Sequence, residues 1–221
     1  MSGFIDITAA DGHTLQAYLA GPEDAKAGLV VVQEIFGVNR HIRSVCDAFA
    51  QAGYRVAAPA LFDRAERGVE LGYTQDDVAS GLKLRAGIAE AATLADIEAA
   101  ANALGARTLG IVGYCWGGTA AWWGATRTTR FAGASGWYGG GIAAARHEVP
   151  HCPVQLHFGA EDHGIPLPDV DAIRAAQPGV EIYVYEGAGH GFGCSERASF
   201  NPDAAKLARD RTLAFFAHTL A

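Results

Sequence analysis

Glu34, Cys115, Asp162 and His190 share a setting: each stands just behind an apolar run, namely "LVVVQ", "LGIVGY", "VQLHFGAE" and "IYVYEGAG". Two carboxylates, a thiol and an imidazole are suitable parts for nucleophilic chemistry. A thiolate is a strong nucleophile, but a free cysteine, with a reference pKa of about 8.5, is mostly protonated at neutral pH. A histidine can accept that proton and later hand it to a leaving alkoxide. A carboxylate behind the histidine would hold the ring in one tautomer and stabilise its cation. Cys115 lies in "GIVGYCWGGTAAWWGA", where an apolar run ends in Gly-Tyr-Cys-Trp-Gly-Gly and gives way to an alanine-rich segment. That is the G-x-S-x-G pattern of a nucleophile elbow, with cysteine in the serine position. Gly113, Gly117 and Gly118 answer its steric need, because a tight strand-to-helix turn tolerates little bulk. The backbone N–H groups of Ile35 and Trp116 are expected to form the oxyanion hole.

Such residues need a scaffold that brings strand ends together. Short β-branched runs alternate with alanine-rich stretches along the chain, punctuated by glycine and proline. The first two runs, Phe4–Thr8 and Thr14–Ala20, flank Asp11-Gly12, a hairpin signal. Six more follow: "AGLVVVQ", "YRVAAPA", "TLGIVGY", "FAGASGWY", "CPVQLHFGA" and "VEIYVYEGA". Helical character falls at His41–Gln51, Leu94–Leu104, Pro168–Ala176 and Asp203–Leu220, the last opened by the cap signal Asn201-Pro202. This pattern predicts an α/β fold with a mostly parallel eight-stranded sheet and helices on both faces. In an open sheet of this kind ligands bind outside the carboxyl ends of the strands, where the four candidates fall. Their chain order of nucleophile, acid, histidine is that of an α/β-hydrolase. The irregular stretch Phe62–Gly87 is either a lid beside the site or a surface helix pair.

Composition bounds the rest. The 221 residues, half of them hydrophobic, suit one domain over 1–221. A formal net charge of -7 and the lack of a lysine or arginine run argue against nucleic acid as a partner. The N-terminus has no basic n-region and no apolar segment is long enough to span a bilayer, so a cytoplasmic protein with no membrane association is expected, monomeric by default. The cysteines at 46, 115, 152 and 194 have no paired spacing and are expected as thiols. A metal or redox role for His151, Cys152 and His157 is a lesser alternative, since ligand spacing is lacking.

The segments "VVVQEIFGVNRHIRSVCDAFAQAGYRVAAPALF", "GIVGYCWGG", "FGAEDHGIP" and "GAGHGF" resemble the dienelactone hydrolase family, also called carboxymethylenebutenolidase, over nearly the whole chain. The resemblance implies an α/β-hydrolase fold, a triad of Cys115, His190 and Asp162, a small ester or lactone substrate and no cofactor or metal. It also implies that Glu34 contacts the resting thiol and takes its proton when substrate arrives. Members that open dienelactone grip its carboxylate with two arginines. Val78 and Cys194 stand at those positions here, with Arg85 and Arg197 nearby as substitutes. A same-fold esterase or thioesterase with another small substrate is the alternative, as is a scaffold that binds a ligand without turning it over.

Overall fold

The computed structural model describes residues 2–105 and 107–221. Its strands run in the order β1-β2-β4-β3-β5-β6-β7-β8, the eight-stranded, mostly parallel α/β sheet expected from the sequence. By its internal contacts the chain divides into two compact units, residues 1–110 and 111–221.

The first unit opens with a hairpin of β1 (Gly3–Thr8) and β2 (Thr14–Ala20), paired antiparallel with Thr8 opposite Thr14. β3 (Ala27–Val32) and β4 (Arg55–Pro59) pair in parallel, and β2 lies antiparallel to β4. The connection between them is α1 (Arg40–Gln51), started by Asn39, whose side chain accepts the Ile42 N–H at 3.2 Å. Such a cap satisfies a donor that the first helical turn leaves unpaired, a contribution of about 1 kcal/mol. The hydrophobic run of β3 is almost wholly buried, as a strand covered on both faces requires.

Residues 62–87 are more ordered than their composition suggests. A 3-10 turn, Leu61–Arg64, leads to α2 (Gln75–Ala86), which begins in a capping box of Thr74 and Asp77. Asp63 closes the turn by accepting the Gln16 and Gly68 N–H groups at 2.8 and 3.1 Å. Within α2, Gly81 passes so close to the Ile35 carbonyl that a Cβ would lie 1.9 Å from its oxygen. The segment is therefore a docked helix, not a helix pair. α3 (Glu90–Ala103) starts four residues ahead of the predicted Leu94. Its buried Asp96 takes two bonds from Arg64, at 2.7 and 2.8 Å, the two-pronged geometry that suits a guanidinium.

β5 (Thr108–Tyr114) leads from the first unit into the second, which continues with α4 (Trp116–Arg127), β6 (Gly133–Trp137), β7 (Val154–Gly159), α5 (Leu167–Ala176), β8 (Glu181–Tyr185) and α6 (Pro202–Thr219). β6, β7 and β8 are parallel, with Trp137 opposite His157 and His157 opposite Tyr183. Every residue of β6 and β7 is buried. No described helix is long and apolar enough to cross a membrane.

Candidate active site

The site is assembled from three strand ends of the second unit. At the end of β5 the chain turns into α4 through Cys115, which has φ 55° and ψ −115°. A non-glycine residue at positive φ carries roughly 1–3 kcal/mol of strain, held in place by its surroundings. Here the Cys115 N–H donates to the Trp137 carbonyl at 3.0 Å, and the Cys115 carbonyl accepts from Gly118 and Thr119 in the first turn of α4. At Gly113 a Cβ would sit 1.8 Å from the Gly117 oxygen. Only glycine fits there, so the sharpness of the elbow depends on it.

Asp162 and His190 come from the loops after β7 and β8. The two loops are tied together, with the Ala160 and Glu161 N–H groups donating to the Tyr185 and Ala188 carbonyls, each at 2.9 Å. Asn201 closes the His190 loop: it donates from its side chain to the Gly187 carbonyl at 3.1 Å and from its backbone to the Phe192 carbonyl at 3.1 Å, while its Oδ1 caps α6 through the Ala204 N–H. Ser199 Oγ donates to the carbonyl of His190 itself at 2.7 Å.

These anchors bring the three side chains into line. His190 Nδ1 lies 2.7 Å from Asp162 Oδ2, and His190 Nε2 lies 3.1 Å from Cys115 Sγ. The Asp162 side chain is fully buried, whereas that of His190 is 30% exposed, so the ring can be reached from outside and its carboxylate cannot. Burial works against a charged imidazole, yet the bonds and charges of Asp162 and Cys115 outweigh it and raise His190 to about 10. Burial likewise opposes ionisation of Asp162, but His190 and the N–H groups of Gly164 and Ile165 hold it below the usual carboxylate range. The arrangement can carry a proton between the sulfur and the imidazole while a fixed anion supports the ring.

Of the other residues singled out in the sequence, Glu34 and Ile35 lie in the first unit, 1% and 8% exposed. Trp116 is the first residue of α4 and is buried. Arg85 is exposed near the end of α2. The Arg197 guanidinium lies against the backbone of Gly191, next to His190, where a Cβ would come within 2.4 Å of Nη1. Cys194 is fully buried, and none of the four cysteines is in a disulfide. His157 engages both ring nitrogens with Tyr185 and Gln155 at 2.8 and 2.9 Å, which speaks against its use as a metal ligand. A cavity of about 830 Å³ opens beside the acid, with Asp162, Gly189, Leu167 and Phe200 in its wall. Its lining includes Glu161 and no lysine or arginine.

Sequence reasoning missed Trp137 and Tyr138. The first holds the Cys115 N–H, and the second sets its ring edge-on to the His190 imidazole, with centroids 5.3 Å apart and planes at 62°. The signal available was "GWYGGG", two aromatics at a strand end followed by three glycines.

The chain matches the sequence profile of the dienelactone hydrolase family over residues 15–220. It belongs to that family. A carboxymethylenebutenolidase-like protein of Synechocystis sp. is 39% identical over 199 residues, 80% of each chain. The carboxymethylenebutenolidase of Pseudomonas putida is 33% identical over 228 residues, 96% of this chain and 95% of its own. Among solved structures, a dienelactone hydrolase-type protein of Klebsiella pneumoniae superposes with a TM-score of 0.81 at 32% identity, covering 97% of this chain and 99% of that one. The dienelactone hydrolase of Anabaena variabilis, at 17% identity and a TM-score of 0.72, covers 100% and 99% of the two chains and shares the fold. The α/β-hydrolase architecture and a hydrolase activity on carboxylic ester bonds follow from this membership.

Proposed function

We propose that the chain works as one α/β-hydrolase domain and opens a small ester or enol-lactone with Cys115 as nucleophile, dienelactone being the substrate if the family's is kept. The observation that carries this reading is the hydrogen-bonded series Asp162–His190–Cys115, at 2.7 and 3.1 Å behind a strained elbow. Glu34 is the base that accepts the thiol proton when substrate arrives, leaving a thiolate beside the His190 cation. The sulfur attacks the carbonyl carbon, and the oxyanion that forms is met by the N–H groups of Trp116 and Ile35. As the C–O bond breaks, His190 gives its proton to the leaving oxygen. The neutral imidazole then takes a proton from water, the resulting hydroxide attacks the thioester, the C–S bond breaks to return the thiolate, and Glu34 gives back its proton to restore the resting thiol. In an enol-lactone the leaving group stays tethered, and its enolate is a weak enough base to resist reclosure. No cofactor enters these steps.

A second reading is favoured by the carboxylate grip. By the resemblance, Val78 and Cys194 stand where the family's two arginines would be. A same-fold esterase or thioesterase acting on an uncharged substrate fits those residues. Turnover of a dienelactone by the wild type, with Cys115→Ala as control, tests both. Rapid opening lost in the variant supports the lactone and means that arginines such as Arg85 or Arg197 have taken over the carboxylate. Hydrolysis of an aryl acetate through Cys115 without lactone opening supports the second reading. Retained activity in Cys115→Ala overturns both.

A further inference from the structure

Under α6 the sheet carries polar side chains where an apolar face is expected. Ser135 and Trp137 of β6, Gln155 and His157 of β7 and Tyr185 of β8 share one face by the two-residue period of a strand, and Thr212 of α6 joins them. Ser135, Gln155, His157 and Thr212 are each at most 2% exposed. Burying such groups is unfavourable unless each is bonded, and their bonds form one connected set.

Apart from the 3.4 Å contact between the Ser135 and Thr212 hydroxyls, the bond directions follow by elimination. Gln155 Nε2 donates to the Glu181 carboxylate at 2.8 Å, so its Oε1, 2.9 Å from His157 Nε2, can only accept. His157 therefore carries its proton on Nε2. Its Nδ1, 2.8 Å from the Tyr185 hydroxyl, accepts from it. The indole Nε1–H of Trp137 can only donate, and does so to Thr212 Oγ1 at 3.2 Å; that oxygen also stands 3.1 Å from His157 Nε2. The ring of Trp137 lies over His157, with centroids 4.9 Å apart, and stacks on Phe192 at 5.6 Å. One neutral imidazole thus ties three strands and a helix around the Trp137 side chain.

What this set holds is the support of the reactive pair. The Trp137 carbonyl receives the Cys115 N–H, and the next residue, Tyr138, donates its N–H to the His157 carbonyl at 2.7 Å. Tyr138 is fully buried at φ 39° and presses its ring edge against His190. Strain of this kind persists only where neighbours over-determine the backbone. We propose that His157, through Thr212 and Trp137, is a positioning residue for the hydrolytic site: it fixes the β6 end that sets the Cys115 backbone and the His190 ring. It rests on the proposed hydrolase reading and adds a supporting residue that touches no substrate.

The test uses Thr212→Val, which keeps shape and removes the oxygen shared by Trp137 and His157, and Trp137→Phe, which removes the donor. The readouts are 4-nitrophenyl acetate turnover and the pH profile of Cys115 alkylation by iodoacetamide, with Val170→Ala, a buried residue of α5, as a control for stability loss alone. Expected in both variants are a kcat lower by about tenfold, a KM within about twofold and a displaced alkylation profile, consistent with loss of about 1.4 kcal/mol at the transition state. The double variant should be no worse than the worse single one, since both cut the same link. Wild-type kcat and alkylation profile in the variants overturn the proposal. So does a loss no larger than that of Val170→Ala at equal melting temperature. Should Thr212→Val fail to fold, Trp137→Phe alone decides. If wild-type Cys115 is not alkylated ahead of the other thiols, or Cys115→Ala still turns over, it is the hydrolase reading that fails.

Discussion

His157 and His190 lie in the same unit, one fully buried and the other partly exposed, and have opposite proton chemistry. His157 sits among neutral partners in the core under α6, and burial, helped by the charge of Arg211, pushes it down to about 3. His190 is also desolvated, though less completely, but stands between Asp162 and Cys115, and is raised to about 10. Burial alone does not decide the state of an imidazole; the charge of what it is bonded to does. One ring is thereby a fixed dipole that holds structure, and the other, within reach of solvent, is the proton carrier of the proposed reaction.

The contrast can be broken from either side. The largest effect is expected from Cys115→Ala, which should abolish turnover of any accepted ester while leaving the far-UV circular dichroism and cooperative melting of the wild type. Activity near the wild-type rate would remove Cys115 from the mechanism. Asp162→Asn should lower kcat by about 10⁴-fold through loss of tautomer control and cation support. The same change should bring the His190 titration, followed by NMR of the imidazole protons, below about 10, because Asp162 is one of the groups that raise it. A titration left unmoved would mean that Asp162 does not govern the ring.

Glu34→Gln should slow acylation, measured by rapid-mixing of an aryl ester, by about 10²-fold with little change in melting temperature. An unchanged acylation rate would leave Glu34 a structural residue. The smallest effects are on stability. Folded His157 is neutral down to about 3, whereas the unfolded chain binds its proton near 6.5. Its contribution is therefore complete above pH 6.5 and shrinks as pH falls towards 3, by up to about 1.4 kcal/mol per pH unit. For His190 the sign reverses: stability from the protonated ring is complete below 6.5 and is lost as pH rises through about 10. Urea unfolding of wild type and His157→Gln between pH 7 and pH 5 should show the steeper acid slope only in the wild type. Equal slopes would contradict a neutral His157.

The eight strands were legible because each is a short β-branched or apolar run bounded by glycine, proline or a charged residue, and the last helix because Asn201-Pro202 announces it. The sharp turn at Cys115 was legible for a steric reason, since glycines at 113 and 117 cannot be explained by helix or strand preference. α2 was not: its apolar residues follow no stripe, and its start depends on a Thr74–Asp77 exchange of bonds that composition does not single out. Trp137 and Tyr138 were missed, and His157 was weighed only as a metal or redox residue, for a different cause. Their roles arise from register, Trp137 opposite His157, and register is set by pairing between segments far apart in the chain.

Asn201 closes the His190 loop at both its start and its middle and also begins α6. The two structures therefore share a fastener. Fraying of the first turn of α6 would loosen His190 before it disturbed Cys115, whose own anchors run to the end of β6. On gentle heating, hydrolysis should fade while the fold still melts as one, and Cys115 should keep its place after His190 has left it.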